Sequence, residues 1–424
     1  GAAAASGPAD PPPPPPVRVD TPAGSRPGPA PGLRRPERCT PPPADPATAP
    51  TGPDAPGSAR MQLAKVHRLA TGRGQLIAVI DTGVFPHRLL GDRLRGGGDY
   101  LTGGDGLDDC DGHGTAVAGL LGAAPAPGRD GRAPTPIGIA PAAELLAIRQ
   151  SSPSFEVPAP DGGLRPAGDT DTLADAVVLA VRGGADVVNI SEAVCLSPDR
   201  AAVAGASLHA ALRYAAAADV VVVAAAGNAG PLSCAAPGPE QVALPGWYDA
   251  EILTVGAVGP DDAPAPFTVP GPWVDVAAPG IGLRSLAVGG GTTGSGLDGT
   301  SFAAPWVAGL AALVRERFPD LTAEQVVDRI LATARRPAGG HSAALGHGVI
   351  DPVAALTAVP AVLEPAPEGT VGVRTAELPG TAPRAARSES PWPVDVLAVA
   401  LLALASGATA TLLRRRPARP RRVP

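Results

Sequence analysis

Gly299-Thr300-Ser301-Phe302-Ala303-Ala304-Pro305 runs directly into Trp306-Val307-Ala308-Gly309-Leu310-Ala311-Ala312-Leu313-Val314. The second half is apolar on every side and rich in small residues, the pattern of a helix buried in the middle of a domain. Ser301 stands at its start. Pro305 is read as a first-turn residue, where backbone N–H groups have no intrahelical partner. A helix N-terminus offers free N–H donors and partial positive charge to a developing anion, so a serine there sits beside half of an oxyanion hole. It remains a weak nucleophile unless a base takes its proton. Taken alone, Gly-Thr-Ser is an ordinary helix cap. Its meaning depends on whether the rest of the chain supplies a base, an orienting acid and a second donor.

Three other stretches do so. Leu76-Ile77-Ala78-Val79-Ile80 is a continuous apolar run, the pattern of a strand buried on both faces, and Asp81-Thr82-Gly83 follows at its carboxyl end. That edge is where ligands bind in open α/β sheets. His113-Gly114-Thr115-Ala116-Val117-Ala118-Gly119 opens a second helix of small apolar residues with a histidine. Val220 to Ala226 forms a strand that runs into Gly227-Asn228, whose side-chain amide can donate to an oxyanion. Each alone is more often structural. The acid, the histidine, the asparagine and the serine gain their meaning from their order and context together.

Between these stretches, strands and helices alternate. Strands are expected at Glu144–Ile148, Val187–Ser191, Ile252–Val258 and Trp273–Val276, and helices at Asp171–Val181 and Arg200–Ala218. Ser151 to Thr170 reads as a Pro/Gly-rich surface loop, and Thr322-Ala323-Glu324-Gln325 as a capping box. The alternation implies an α/β fold, a doubly wound and mostly parallel sheet flanked by helices. The acidic loop Asp108-Asp109-Cys110-Asp111 lacks the spacing of a calcium loop, and neither a metal nor a cofactor is expected.

The chain has 424 residues and a net charge of −6, which leaves no basic footprint for nucleic acid. Its four cysteines stand far apart, which argues against a zinc site and fits two disulfides in an oxidising compartment. The chain opens on Gly rather than Met, read as processing after an export signal. Residues 1–60 form a Pro-rich arm with a run from Pro11 to Pro16, expected to be extended or disordered. Residues 61–358 form the domain and 359–393 a second Pro-rich linker. Val394 to Leu413 is apolar enough to span a bilayer: at about 1.5 Å per residue it covers ~30 Å. The tail, 414–424, carries six arginines and is expected to be cytoplasmic, which puts the domain outside the plasma membrane.

In this order the four stretches resemble the subtilisin-like serine proteases, with the triad order Asp, His, Ser. The resemblance implies that Ser301 is the nucleophile, His113 the base, Asp81 its orienting acid, and that Asn228 and the Ser301 N–H hold the oxyanion. An α/β-hydrolase esterase is excluded because no G-x-S-x-G elbow surrounds Ser301. The chain departs from the family at Ser191-Glu192-Ala193, where many relatives carry a glycine soon after the serine. The arm, the cysteines, the spanning segment and the basic tail resemble the mycosins, membrane-anchored subtilases of type VII secretion systems. That resemblance implies disulfides Cys39–Cys110 and Cys195–Cys234, a protein or peptide substrate, and a place among the membrane components of a secretion complex. The arm lacks the composition of a folded inhibitory propeptide. A chain without residues 1–35 should therefore stay folded; loss of soluble protein with native circular dichroism would contradict this.

Overall fold

The computed structural model describes residues 11–17, 24–45, 56–125, 137–230, 234, 240–293 and 296–359. These belong to one compact unit, Gly1–Pro360. The Val394–Leu413 segment and the basic tail lie outside the described residues. Among the described residues no helix is long and apolar enough to cross a membrane.

The frame is a seven-stranded parallel sheet. From edge to edge its strands are Val276–Pro279, Leu253–Val258, Val221–Ala225, Val187–Ile190, Leu76–Asp81, Glu144–Arg149 and Leu94–Asp99. The chain starts at Leu76–Asp81, builds to one side, and then crosses back to Val187–Ile190 on the other. The strand that ends in Asp81 is therefore the topological switch point, where the connecting loops diverge and leave a crevice. The sheet is buried on both faces, and the two-residue side-chain period divides it cleanly. Ile77, Val79, Val223 and Val255 pack against the helices His113–Gly122 and Thr300–Arg317. Ala78, Ile80, Val188 and Val222 pack against Thr170–Arg182 and Ala206–Ala217.

The small residues of the histidine and serine helices have a steric cause. A Cβ on Gly309 would lie 2.1 Å from the Ile139 side chain, and one on Gly114 would lie 2.0 Å from the Gly83 carbonyl oxygen. Neither helix could approach its neighbours so closely with larger residues.

Several sequence expectations are corrected. Ser151–Thr170 is not a plain loop: Ser152–Pro158 and Leu164–Ala167 form an antiparallel hairpin that buries Phe155, Val157 and Ala167. Its prolines sit on a small two-stranded edge, where a missing N–H is tolerated. The expected helix Arg200–Ala218 is two helices, Pro198–Ala204 and Ala206–Ala217. They break at Gly205, where the Tyr248 hydroxyl comes within 2.1 Å of the position a Cβ would take. The edge strand expected at Trp273–Val276 begins at Val276, three residues later than expected. Pro305 is not in the first turn but is the sixth residue of its helix, so the helix dispenses with one internal hydrogen bond there. The described parts of the arm are held to the domain, since Arg34 bridges Glu156 and Ala44–Asp45 pairs with Thr292–Thr293, and the arm is not extended throughout, because Pro56–Arg60 is a short helix.

Gly114→Ala should push the Gly83 loop away from the histidine helix and destabilise the domain by about 2 kcal/mol, the usual scale for overpacking. Chemical denaturation would read this as a lower midpoint with an unchanged slope; an unchanged midpoint would contradict the close approach.

Candidate active site

Asp81 ends the central strand and is fully buried. Its Oδ1 accepts the Thr82 backbone N–H at 2.7 Å and pairs with His113 Nδ1 at 2.7 Å. Its Oδ2 is buried with no hydrogen-bond partner among the described residues, which leaves the imidazole as the main compensation for the buried charge.

His113 opens its helix, and the residues around it fix its position. Asp109 caps the first turn: it accepts from the N–H groups of Gly112 at 2.8 Å and Thr115 at 2.9 Å, and from the Thr82 hydroxyl at 2.9 Å. The Thr82 hydroxyl in turn accepts from Gly114 N–H at 3.0 Å. The acidic loop is thus a helix cap that joins the Asp81 strand to the His113 helix.

Asn228 leaves the Val221–Ala225 strand after Gly227, which has φ 99°. Its Oδ1 accepts from both the N–H and the hydroxyl of Thr300, each at 3.0 Å, and the Thr300 hydroxyl accepts from Gly227 N–H at 3.1 Å. Accepting through oxygen turns the amide nitrogen towards the start of the serine helix, where a Cβ on Gly299 would lie 3.3 Å from Nδ2. Ser301 is the second residue of that helix and half-buried. Its neighbour Phe302 packs on His113, with ring centroids 5.2 Å apart. Among the described residues the Ser301 hydroxyl makes no hydrogen bond with His113. The structure therefore brings Asp81 onto His113 and Asn228 onto the serine helix, and leaves the serine–imidazole contact unmade.

One residue near the site was seen in the sequence only as a departure. Glu192 leaves the Val187–Ile190 strand, and its carboxylate accepts from the Ser151 hydroxyl on the facing segment. The two line a cleft of about 530 Å³ together with Ala193, Val194 and Leu244. Burial, and then the Asp81 charge, push Glu192 up to about 8, with His113 working the other way. Burial also works against protonation of His113. The Asp81 charge and hydrogen bond, with Glu192 and Asp109 behind them, outweigh it and lift His113 to about 9. The sequence signal was the missing glycine after Ser191, but nothing in the linear pattern placed Glu192 beside the imidazole.

Two disulfides brace the walls. Cys39–Cys110 ties the arm to the loop just before His113, and Cys195–Cys234 links the chain after Glu192 to the loop after Asn228.

The subtilase family model matches residues 72–348, which span all four sequence stretches and the sheet that carries them. The chain belongs to the subtilase family. Among curated subtilases, Mycosin-4 of Mycobacterium tuberculosis (strain ATCC 25618 / H37Rv) is 42% identical over 84% of this chain and 81% of its own length. The solved MycP3 protease from the type VII (ESX-3) secretion system is 40% identical, covers 82% of this chain and all of that one, and superposes with a TM-score of 0.72. A chain in an intact ESX-5 inner membrane complex is 34% identical over 94% of this chain and 97% of that one, with a TM-score of 0.71. The subtilase is therefore a mycosin.

A base must be neutral to accept a proton, so with His113 in that role kcat/KM on a peptide substrate should rise with pH towards about 9. Stability runs the other way. A histidine raised from its ordinary 6.5 contributes fully below pH 6.5, and the contribution is lost as pH climbs through about 9. Glu192→Gln removes one charge that favours the imidazolium, so the acid limb of the pH–rate profile should move to lower pH. An unmoved limb would contradict the coupling.

Proposed function

We propose that this mycosin is a serine endopeptidase that hydrolyses peptide bonds at the outer face of the plasma membrane, in association with type VII protein secretion. The observation that carries the reading is the 2.7 Å bond between buried Asp81 and His113 Nδ1 at the rim where the Thr300–Arg317 helix begins. With Nδ1–H donated to Asp81, Nε2 is the nitrogen left to take the Ser301 proton. Ser301 attacks the carbonyl carbon, and the oxyanion is held by the Ser301 N–H and the Asn228 amide. His113 then gives its proton to the leaving amine, and water repeats the sequence on the acyl-enzyme. The chain's own residues supply every step, with no metal and no cofactor. The substrate is a protein or peptide laid along the cleft that Ser151 and Glu192 line together.

The remaining parts of the reading concern placement. Val394–Leu413 is a single membrane anchor, 359–393 a linker, and 414–424 a basic cytoplasmic tail. Related chains are found in the periplasmic assembly of the ESX-5 inner membrane complex, which supports an extracytoplasmic domain with membrane components as partners. The same relationship favours a second reading, in which the domain stabilises a secretion complex and proteolysis is secondary.

A fluorophosphonate probe should label the wild-type chain and not Ser301→Ala, and that substitution should lower kcat by about 10⁴-fold or more. Asn228→Ala should cost about 10²–10³-fold in kcat. Labelling that persists in Ser301→Ala would overturn the assignment. Secretion that persists with Ser301→Ala while cleavage stops would give the complex-building role priority.

A further inference from the structure

The proline run, which no catalytic step uses, lies in a built groove. Pro11 to Pro14 share a groove of about 500 Å³ with His209, Arg213, Trp247, Glu251 and Trp273. A proline segment in the polyproline II conformation has no N–H to offer, and its carbonyls project into solvent. A protein can recognise it only with apolar faces for the rings and N–H donors for the carbonyls. The groove has both. Trp247 Nε1 donates to the Pro12 carbonyl at 2.9 Å, and the Arg213 guanidinium donates to the Val17 carbonyl at 3.2 Å. These two acceptors are five residues apart, about 16 Å along a polyproline II segment.

The walls are rigid. Trp247 and Trp273 are each only 4% exposed. Tyr248 stands between two rings, with His209 stacked at 4.3 Å and Trp247 tilted at 5.7 Å. Glu251 braces His209 at 3.5 Å and Arg213 at 3.9 Å. A volume of about 500 Å³ lies between Pro11–Pro14 and these walls, so the resident arm fills only part of the groove. The helix that carries His209 and Arg213 packs on the sheet face opposite the serine helix, so this surface is distinct from the catalytic cleft.

We propose that this groove is a polyproline-recognition site. Its resident ligand is the chain's own arm, and it exchanges that arm for a proline-rich segment of a partner protein. A partner is favoured over a second copy for a physical reason. The arm of another copy is the same ligand without the tether, and a tethered ligand acts at an effective concentration of about millimolar. Only a segment that fills more of the volume between the arm and the walls outcompetes it.

The test uses the full chain and a synthetic ten-proline peptide as the probe. In the triple variant Pro12→Gly, Pro13→Ser, Pro14→Gly the groove is open. Tryptophan fluorescence and calorimetry should then show saturable binding at least tenfold tighter than to the wild-type chain, and an alternating Gly-Ser peptide should not bind. Adding Trp247→Phe, which keeps a ring and removes the N–H, should weaken binding about fivefold, the scale of one hydrogen bond. Arg213→Ala, remote from the rings, should weaken it less. The proposal is overturned if the open chain shows no saturable binding, if Trp247→Phe binds as tightly, or if the wild-type chain binds as tightly as the open one. Wild-type dimers that the triple variant abolishes would also overturn it, by making a second copy the occupant. Should the triple variant not fold, the wild-type chain alone decides: ten-proline at millimolar concentration should bind saturably and Trp247→Phe should weaken that binding, and failure of either overturns the proposal.

Discussion

A buried carboxylate with one strong partner governs this molecule. Asp81 is taken out of water at the end of the central strand, and among the described residues only the imidazole of His113 pairs with it as an opposite charge. A buried charge without a partner is costly, so the fold is constrained to bring the histidine helix to the strand exit. The devices around it serve that approach. Thr82 and Asp109 stitch the strand to the helix, Gly114 removes the side chain that would hold them apart, and Cys39–Cys110 fastens the capping loop from outside. The same bond fixes which ring nitrogen is left free and how tightly the ring holds its proton.

The serine side is built from different interactions. There the order comes from neutral hydrogen bonds, with Thr300 linking the helix start to Asn228 and to Gly227. The two halves meet through the Phe302 contact with His113 rather than through a hydrogen bond. Glu192 lies at the boundary. Its carboxyl group and that of Asp81 both favour a charged imidazole, which is the form that cannot act as a base. Glu192 thus acts electrostatically on the imidazole and sterically in the cleft it lines.

The frame was legible in the sequence where residues obey one rule at a time. Continuous apolar runs such as Leu76–Ile80 and Val220–Ala226 gave buried strands, and small apolar runs gave the two central helices. Legibility failed where side chains act through space. The edge strand Leu94–Asp99 holds three glycines and shows no apolar alternation, so only its neighbour Glu144–Arg149 defines it. The break at Gly205 answers to Tyr248, and the hairpin after Ser151 to Phe155 and Val157 buried beneath its prolines. Asp109 was read as part of an acidic loop, because its capping role depends on Thr82 and Thr115 closing around it. His209 had no motif at all; its setting is made by Tyr248, Glu251 and an arm some 200 residues earlier in the chain.

The proton between Asp81 and His113 can be observed directly. Nuclear magnetic resonance of the full chain, with Asp81→Asn as reference, should show a strongly downfield His113 Nδ1 proton. Its titration should fall near pH 9 and move well down when the carboxylate is replaced by an amide. A His113 ring that titrates near its ordinary 6.5 in both proteins, with no downfield proton, would contradict the claim that one buried carboxylate sets both the geometry and the charge of the site.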